Sequence, residues 1–85
     1  MEIAENVIKR FTEMTMQIAE QGGYDRGSGA EIIKIEKPNV GEYVFERKDY
    51  FWKKDERTDY LLRVTTALYM ETIIDSEWVS VSENE

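Results

Sequence analysis

The stretch TDYLLRVTTALYMETIID, residues 58–75, decides the fold, because it satisfies two periodicities at once. Taken as a strand, Tyr60, Leu62, Val64, Thr66, Leu68, Met70, Thr72 and Ile74 share one face, and each is apolar or Thr. The opposite face then carries Asp59, Arg63, Glu71 and Asp75. Taken as a helix, Leu61, Leu62, Thr65, Leu68, Tyr69, Thr72 and Ile73 form a stripe. The wealth of Thr, Tyr, Val and Ile favours the strand. So does SEWVSVS, which follows a turn expected at Asp75–Ser76 and gives a last strand from Trp78 to Val81. A strand as long as 58–75 is expected to bend or to carry a bulge. The helical alternative, over 58–73, keeps the fold class and changes the topology.

Upstream, Ile3, Val7, Phe11, Met14 and Ile18 are spaced four, four, three and four apart, which predicts an amphipathic helix over 2–21. Ala4, Ile8, Thr15 and Ala19 widen the apolar stripe, and Gly22 and Gly23 supply its end. GGYDRGSGA, residues 22–30, follows a helix and precedes a strand, the reverse of a phosphate-cradling loop, and reads as a flexible connection. AEIIKIEK, PNVG and EYVFERK then read as a hairpin with turn chemistry at Pro38, Asn39 and Gly41. The expected class is α+β: a single domain, residues 1–85, with one N-terminal amphipathic helix packed on an antiparallel sheet of about four strands.

The chain has neither Cys nor His. Disulfides, thiolate or imidazole zinc sites, Cys nucleophiles and imidazole general bases are therefore excluded. A chain of 85 residues builds one modest core with little space for a buried catalytic cavity. No calcium-loop spacing of acids occurs, and no catalytic residue, metal or cofactor is expected. The opening MEIAENVIKRF does not read as a secretory leader. No run of about 20 apolar residues is present, so a membrane span is not expected and the expected location is cytoplasmic.

Eighteen acids against eleven bases give a net charge of −7, and no Lys or Arg follows Arg63. Such a chain is repelled by nucleic-acid phosphates at long range and drawn to basic protein surfaces. Yet RKDYFWKKDER, residues 47–57, gathers five of the eleven bases around Tyr50, Phe51 and Trp52. Three adjacent rings cannot all face one side of a strand, so at least one is expected away from the core. Three readings stand open. The Lys and Arg stems cover the rings; the rings anchor a protein partner; or they stack bases of single-stranded nucleic acid while Arg47, Lys48, Lys53, Lys54 and Arg57 hold phosphates.

In size, acidity and lack of catalytic apparatus the chain resembles small phage-encoded inhibitors, such as anti-CRISPR and anti-restriction proteins and mimics of DNA. The resemblance is one of general character. It implies a non-enzymatic binding protein that docks on a basic, nucleic-acid-handling partner and inhibits or regulates it. The residues expected to face that partner are Glu2, Glu5, Glu13 and Glu20 on the helix, and Glu71, Asp75 and Glu77 near the C-terminus. Tyr50, Phe51 and Trp52 are the expected anchors, with Arg47 and Arg57 at their rim. The alternative is a small single-stranded nucleic-acid-binding regulator using 47–57. A homodimer through an exposed strand edge or leftover apolar helix surface would suit so small a core.

Overall fold

The computed structural model describes residues 3–80, with the backbone alone at 28–31, 33 and 80. One helix, α1 (Glu5–Gly22), precedes four strands: β1 (Arg26–Glu36), β2 (Tyr43–Lys53), β3 (Glu56–Ala67) and β4 (Thr72–Ser80). The strands form an antiparallel meander in the order β1-β2-β3-β4, and the helix covers one face. The class is α+β, as the periodicities predict.

The stretch 58–75 contains no helix. It holds most of β3, a turn at 68–71, and the start of β4. The even parity holds through β3, where Leu62, Val64 and Thr66 are buried. It then fails at two places. Leu68, Tyr69 and Met70 take φ of 54°, 55° and 76°, which reverses the chain. Beyond the turn, Thr66 pairs with Ile73 but Thr65 pairs with Asp75, so Ile74 is an extra residue, a bulge. The bulge switches β4 so that Ser76 and Trp78 face the helix side while Asp75 and Glu77 face away. The turn expected at Asp75–Ser76 is therefore absent; both residues lie inside β4.

The helix begins at Glu5 rather than residue 2, because Ala4 is extended and offers no side-chain cap. Ile3 and Ala4 still pack on the core. The helix ends at Gly23, whose φ of 65° suits a residue without a β-carbon. The Gly23 N–H donates to Glu20 O and the Tyr24 N–H to Ala19 O, which satisfies two terminal carbonyls.

The glycine-rich stretch is not a loop throughout. β1 already begins at Arg26, and Gly27 lies opposite Phe51 on β2. A β-carbon on Gly27 would stand 2.9 Å from the Phe51 ring, so a bare backbone there lets the ring lie against β1. Between β2 and β3 the turn is only Lys54–Asp55. Lys54 holds φ of 59°, and its N–H donates 2.6 Å to Asp25 Oδ2.

Val7, Phe11, Met14 and Ile18 bury the helix stripe against Tyr43, Phe45, Phe51, Leu62 and Val64. Each such side chain, fully buried, contributes about 1.5–3 kcal/mol. At one end Tyr60 packs edge to face on both Tyr24 and Phe51, which are tilted against each other by 40°, and the Tyr24 and Tyr60 hydroxyls are 3.2 Å apart. That hydrogen bond, followed by burial, pushes the Tyr60 pKa up from 10.0 to about 12.

One ion pair sits in the helix–sheet interface. Asp49 on β2 is fully buried and accepts from Arg47 Nε at 2.8 Å and Arg47 Nη2 at 2.7 Å. Arg47 Nη2 also donates 2.7 Å to Thr15 Oγ1 on α1, and the guanidinium lies 5.0 Å above the Phe11 ring.

Candidate functional site

Helix α1 leaves the far face of the sheet uncovered. Strand parity places Val44, Glu46, Lys48, Tyr50 and Trp52 of β2 on that face, beside Arg57, Asp59, Leu61, Arg63 and Thr65 of β3. Asp75, Glu77 and Val79 of β4 extend it on one side, and Arg26, Lys34 and Glu36 of β1 on the other.

Its most distinctive part is the aromatic end. Tyr50 and Trp52 lie side by side, ring centroids 6.5 Å apart, half-buried by their neighbours. A guanidinium covers each. Arg57 Cζ is 4.8 Å from the Tyr50 centroid, and Arg26 Cζ is 4.1 Å from that of Trp52. Arg57 reaches this position because it stands directly across from Trp52, and Arg26 flanks Trp52 from β1. Asp59, opposite Tyr50, holds Arg57 with Nε 3.0 Å from Oδ1. That buried Oδ1 has ion-pair proximity but no hydrogen bond.

Moving along the face, Lys48, Leu61 and Val79 form a row, of which Val79 is exposed. Beyond it lies a carboxylate-rich end. Arg63 Nε donates 2.9 Å to Glu46 Oε2, and Nη1 donates 3.0 Å to Glu77 Oε1. The hydrogen bond that Arg63 donates to Glu46 raises the pKa of Arg63 above its already high ordinary value. Asp75 borders this network, so the face runs from cationic and aromatic at one end to acidic at the other.

The residues expected to bind a partner divide into four groups. Tyr50, Trp52, Arg57, Asp75 and Glu77 share the far face. Phe51 and Arg47 point inward, the first fully buried and the second locked onto Asp49, and neither offers its polar or ring surface to a partner. Glu5, Glu13 and Glu20 are exposed on α1, across the sheet from that face, with Glu13 3.2 Å from Arg10; Glu71 sits in the 68–71 turn. Glu2 lies outside the described residues.

Sequence reasoning missed Arg26, because it fell within an expected linker, and missed the Glu46–Arg63–Glu77 network, which only the register reveals. An open cleft of about 360 Å³ also separates α1 from β4, lined by Arg10, Glu13, Met14, Gln17, Ser76 and Trp78. Among the described residues no three acids lie close enough together to hold a metal ion. None of the helices described is long and apolar enough to cross a membrane. Comparison of the chain with protein-family models, curated proteins and solved structures finds no match.

Proposed function

We propose that this chain is a non-enzymatic binding protein that docks on a basic partner protein through the far face of its sheet. The partner class we favour is a nucleic-acid-handling protein, which docking would inhibit or regulate. The observation that carries the reading is the Tyr50–Trp52 pair, set side by side on an uncovered sheet face with Arg57 and Arg26 over the rings. Tyr, Trp and Arg are the residue types that dominate interface energetics, because they bury large area with few rotatable bonds. The acidic end of the face and the surplus of acids in the chain favour a cationic partner and would accelerate encounter at low salt.

Base stacking is less well supported by the same geometry. A base would have to displace Arg57 from Tyr50 or Arg26 from Trp52, and Arg57 is already held by Asp59.

The test is affinity capture with the wild type and with a Tyr50→Ser/Trp52→Ser variant, followed by direct binding to the captured protein across a salt series. A basic protein retained by the wild type, lost by the variant and bound more slowly as salt rises supports the reading. Equal retention by the variant would sink it. So would binding to single-stranded DNA or RNA near 50 mM salt, roughly where phosphate-driven affinity is strong, with no protein retained.

A further inference from the structure

Strand β4 borders the sheet, and among the described residues no strand pairs with its outer edge. From Asp75, which pairs with Thr65, to Ser80, which pairs with Tyr60, its register against β3 is unbroken. Alternate residues of this run therefore turn their N–H and C=O groups outward, with no ladder to satisfy them. The other border offers shorter runs, because β1 shifts register between Gly29 and Ile32 and again between Ile32 and Lys34.

The edge of β4 also opens onto a hollow. Ser76 and Trp78 face the helix side of the strand, beside Val64 and Leu62 of β3. Those two neighbours are fully buried, yet α1 leaves Trp78 36 % exposed. The open cleft of about 360 Å³ between α1 and β4 lies against it, with Met14 and Gln17 on the helix wall. Arg10 spans the cleft, its Nη1 donating 3.0 Å to Ser76 Oγ and its Nε 3.2 Å from Glu13 Oε1. The space beside Trp78 and Met14 is large enough for an aliphatic side chain.

Charge selects what can lie along this edge. Asp75 and Glu77 are exposed on its other side, and β4 holds no Lys or Arg. Arg63 bonds Glu77 but is shared with Glu46, so three carboxylates face one guanidinium and a charge of about −2 remains. On the cleft side Arg10 is balanced by Glu13. Lys9 lines the neighbouring hollow with Glu71, Thr72 and Ile73, beyond the bulge at Ile74, and Lys48 lies two strands inward on β2. The same acids disfavour a second copy of this chain. Two copies of β4 (Thr72–Ser80) overlap most when centred on Ser76, which sets Asp75 and Glu77 of the two copies directly opposite each other. Like charges so placed destabilise a strand pair.

We infer that the outer edge of β4 receives an extended basic segment of a partner protein as a fifth, antiparallel strand along Asp75–Ser80. Backbone groups supply the ladder, and the bulge at Ile74 limits it to about six residues. Alternation fixes the pattern of the segment. Its side chains opposite Asp75 and Glu77 are Lys or Arg, and those opposite Ser76 and Trp78 enter the cleft and are apolar. The inference rests on the preceding reading only in taking the partner to be basic. It uses Trp78 and the strand edge, not the Tyr50–Trp52 face.

The test titrates isotope-labelled protein with the capped peptide acetyl-Thr-Val-Leu-Lys-Val-Lys-amide, which follows that pattern, at low salt, where exposed charges are least screened. The expected result is movement of the amide resonances of 75–80 and of the Trp78 indole N–H, with the Trp52 indole unmoved. Replacing both lysines of the peptide by glutamate should abolish the shifts. Two further peptides, N-methylated at complementary sets of alternate residues, separate a hydrogen-bonded ladder from general attraction. Only every other N–H of an added strand points at β4, so one pattern should abolish binding and the other spare it. Asp75→Asn keeps the acceptor for the Ser76 N–H and should weaken binding about two- to fivefold, as loss of one exposed ion pair does. Tyr50→Ser/Trp52→Ser should bind the peptide as the wild type does, so the edge and the sheet face are tested apart. The inference is overturned if the lysine peptide moves no resonance of β4, if the glutamate peptide moves them equally, or if Trp52 shifts in place of Trp78. Equal affinity of the two N-methylated peptides, or unchanged affinity of Asp75→Asn, overturns it as well.

Discussion

Thr15 Oγ1 on α1 lies 2.5 Å from Asp49 Oδ2 on β2, so a polar contact joins the helix to the sheet within a mostly apolar interface. Asp49 has no exposed surface and the Arg47 side chain is 15 % exposed, so each ion depends on the other for compensation. Removing one partner of such a pair costs about 3–5 kcal/mol, whereas replacing both with apolar groups is often neutral. Asp49→Ala is expected to lose that much of a total that is about 5–15 kcal/mol for a small domain. Arg47→Met/Asp49→Leu is expected to lose far less. Urea denaturation followed by circular dichroism checks both, and equal losses would mean the pair is not acting as a unit.

The three consecutive rings should separate cleanly in stability. Phe51→Ala empties a fully buried site and is expected to cost about 3–5 kcal/mol. Tyr50→Ser and Trp52→Ser change the far face and are expected to cost about 1 kcal/mol or less each. Denaturation midpoints in the order wild type, Tyr50 and Trp52 variants, then Phe51 variant are the expected outcome.

Gly27→Ala tests the close approach of β1 to Phe51. Its β-carbon would meet the Phe51 Cδ1 and Cε1 atoms at 2.9 Å. Overpacking of this kind costs about 1–3 kcal/mol. Since the clash is with one ring, Gly27→Ala/Phe51→Leu should lose less than the sum of its two single variants, as contacting residues do in a double-mutant cycle. Additive losses would place the strain elsewhere.

Tyr60 predicts an alkaline weakening. Its pKa in the folded chain is about 12, against an ordinary 10.0, chiefly because of the hydrogen bond with Tyr24. The unfolded chain therefore releases this proton first. The stabilising contribution is complete below pH 10 and is lost as pH rises from 10 to 12. Stability measured at pH 8, 10 and 11 should fall more steeply for wild type than for Tyr60→Phe. In Tyr24→Phe the tyrosinate absorbance of residue 60 should appear at lower pH.

Much of this fold is legible in the sequence, and the reasons differ by element. Val7, Phe11, Met14 and Ile18 show a 3.6-residue period with no competing one, and the helix follows. The alternation that puts Tyr43 and Phe45 on one face also holds, and continued to Phe51 it puts Tyr50 and Trp52 on the other, where three adjacent rings by themselves require only that at least one leave the core. The same parity places Arg47 inside, a consequence that charge alone conceals. In 58–75 the strand period wins, but the reversal at 68–71 is hidden, because Leu68, Tyr69 and Met70 are poor turn residues held there by Asn6 from a distant element. A bulge is foreseeable in so long an apolar run; its position at Ile74 depends on the register. Arg26 escaped notice because glycines on either side of it signal a linker, whereas here one of them makes room for a ring. The acids near the C-terminus and on the helix carry no period that would reveal which of them share a surface.

The bulge at Ile74 has a counterpart on the other side of the sheet, where β1 shifts register twice between Gly29 and Lys34. Each outer strand is thus kinked partway along, and a neighbouring molecule laid beside it would lose its ladder of hydrogen bonds after a few residues. Growth into ribbons or fibrils is interrupted at both borders, so at high concentration this protein should stay dispersed even though Val40, Leu68 and Tyr69 are exposed.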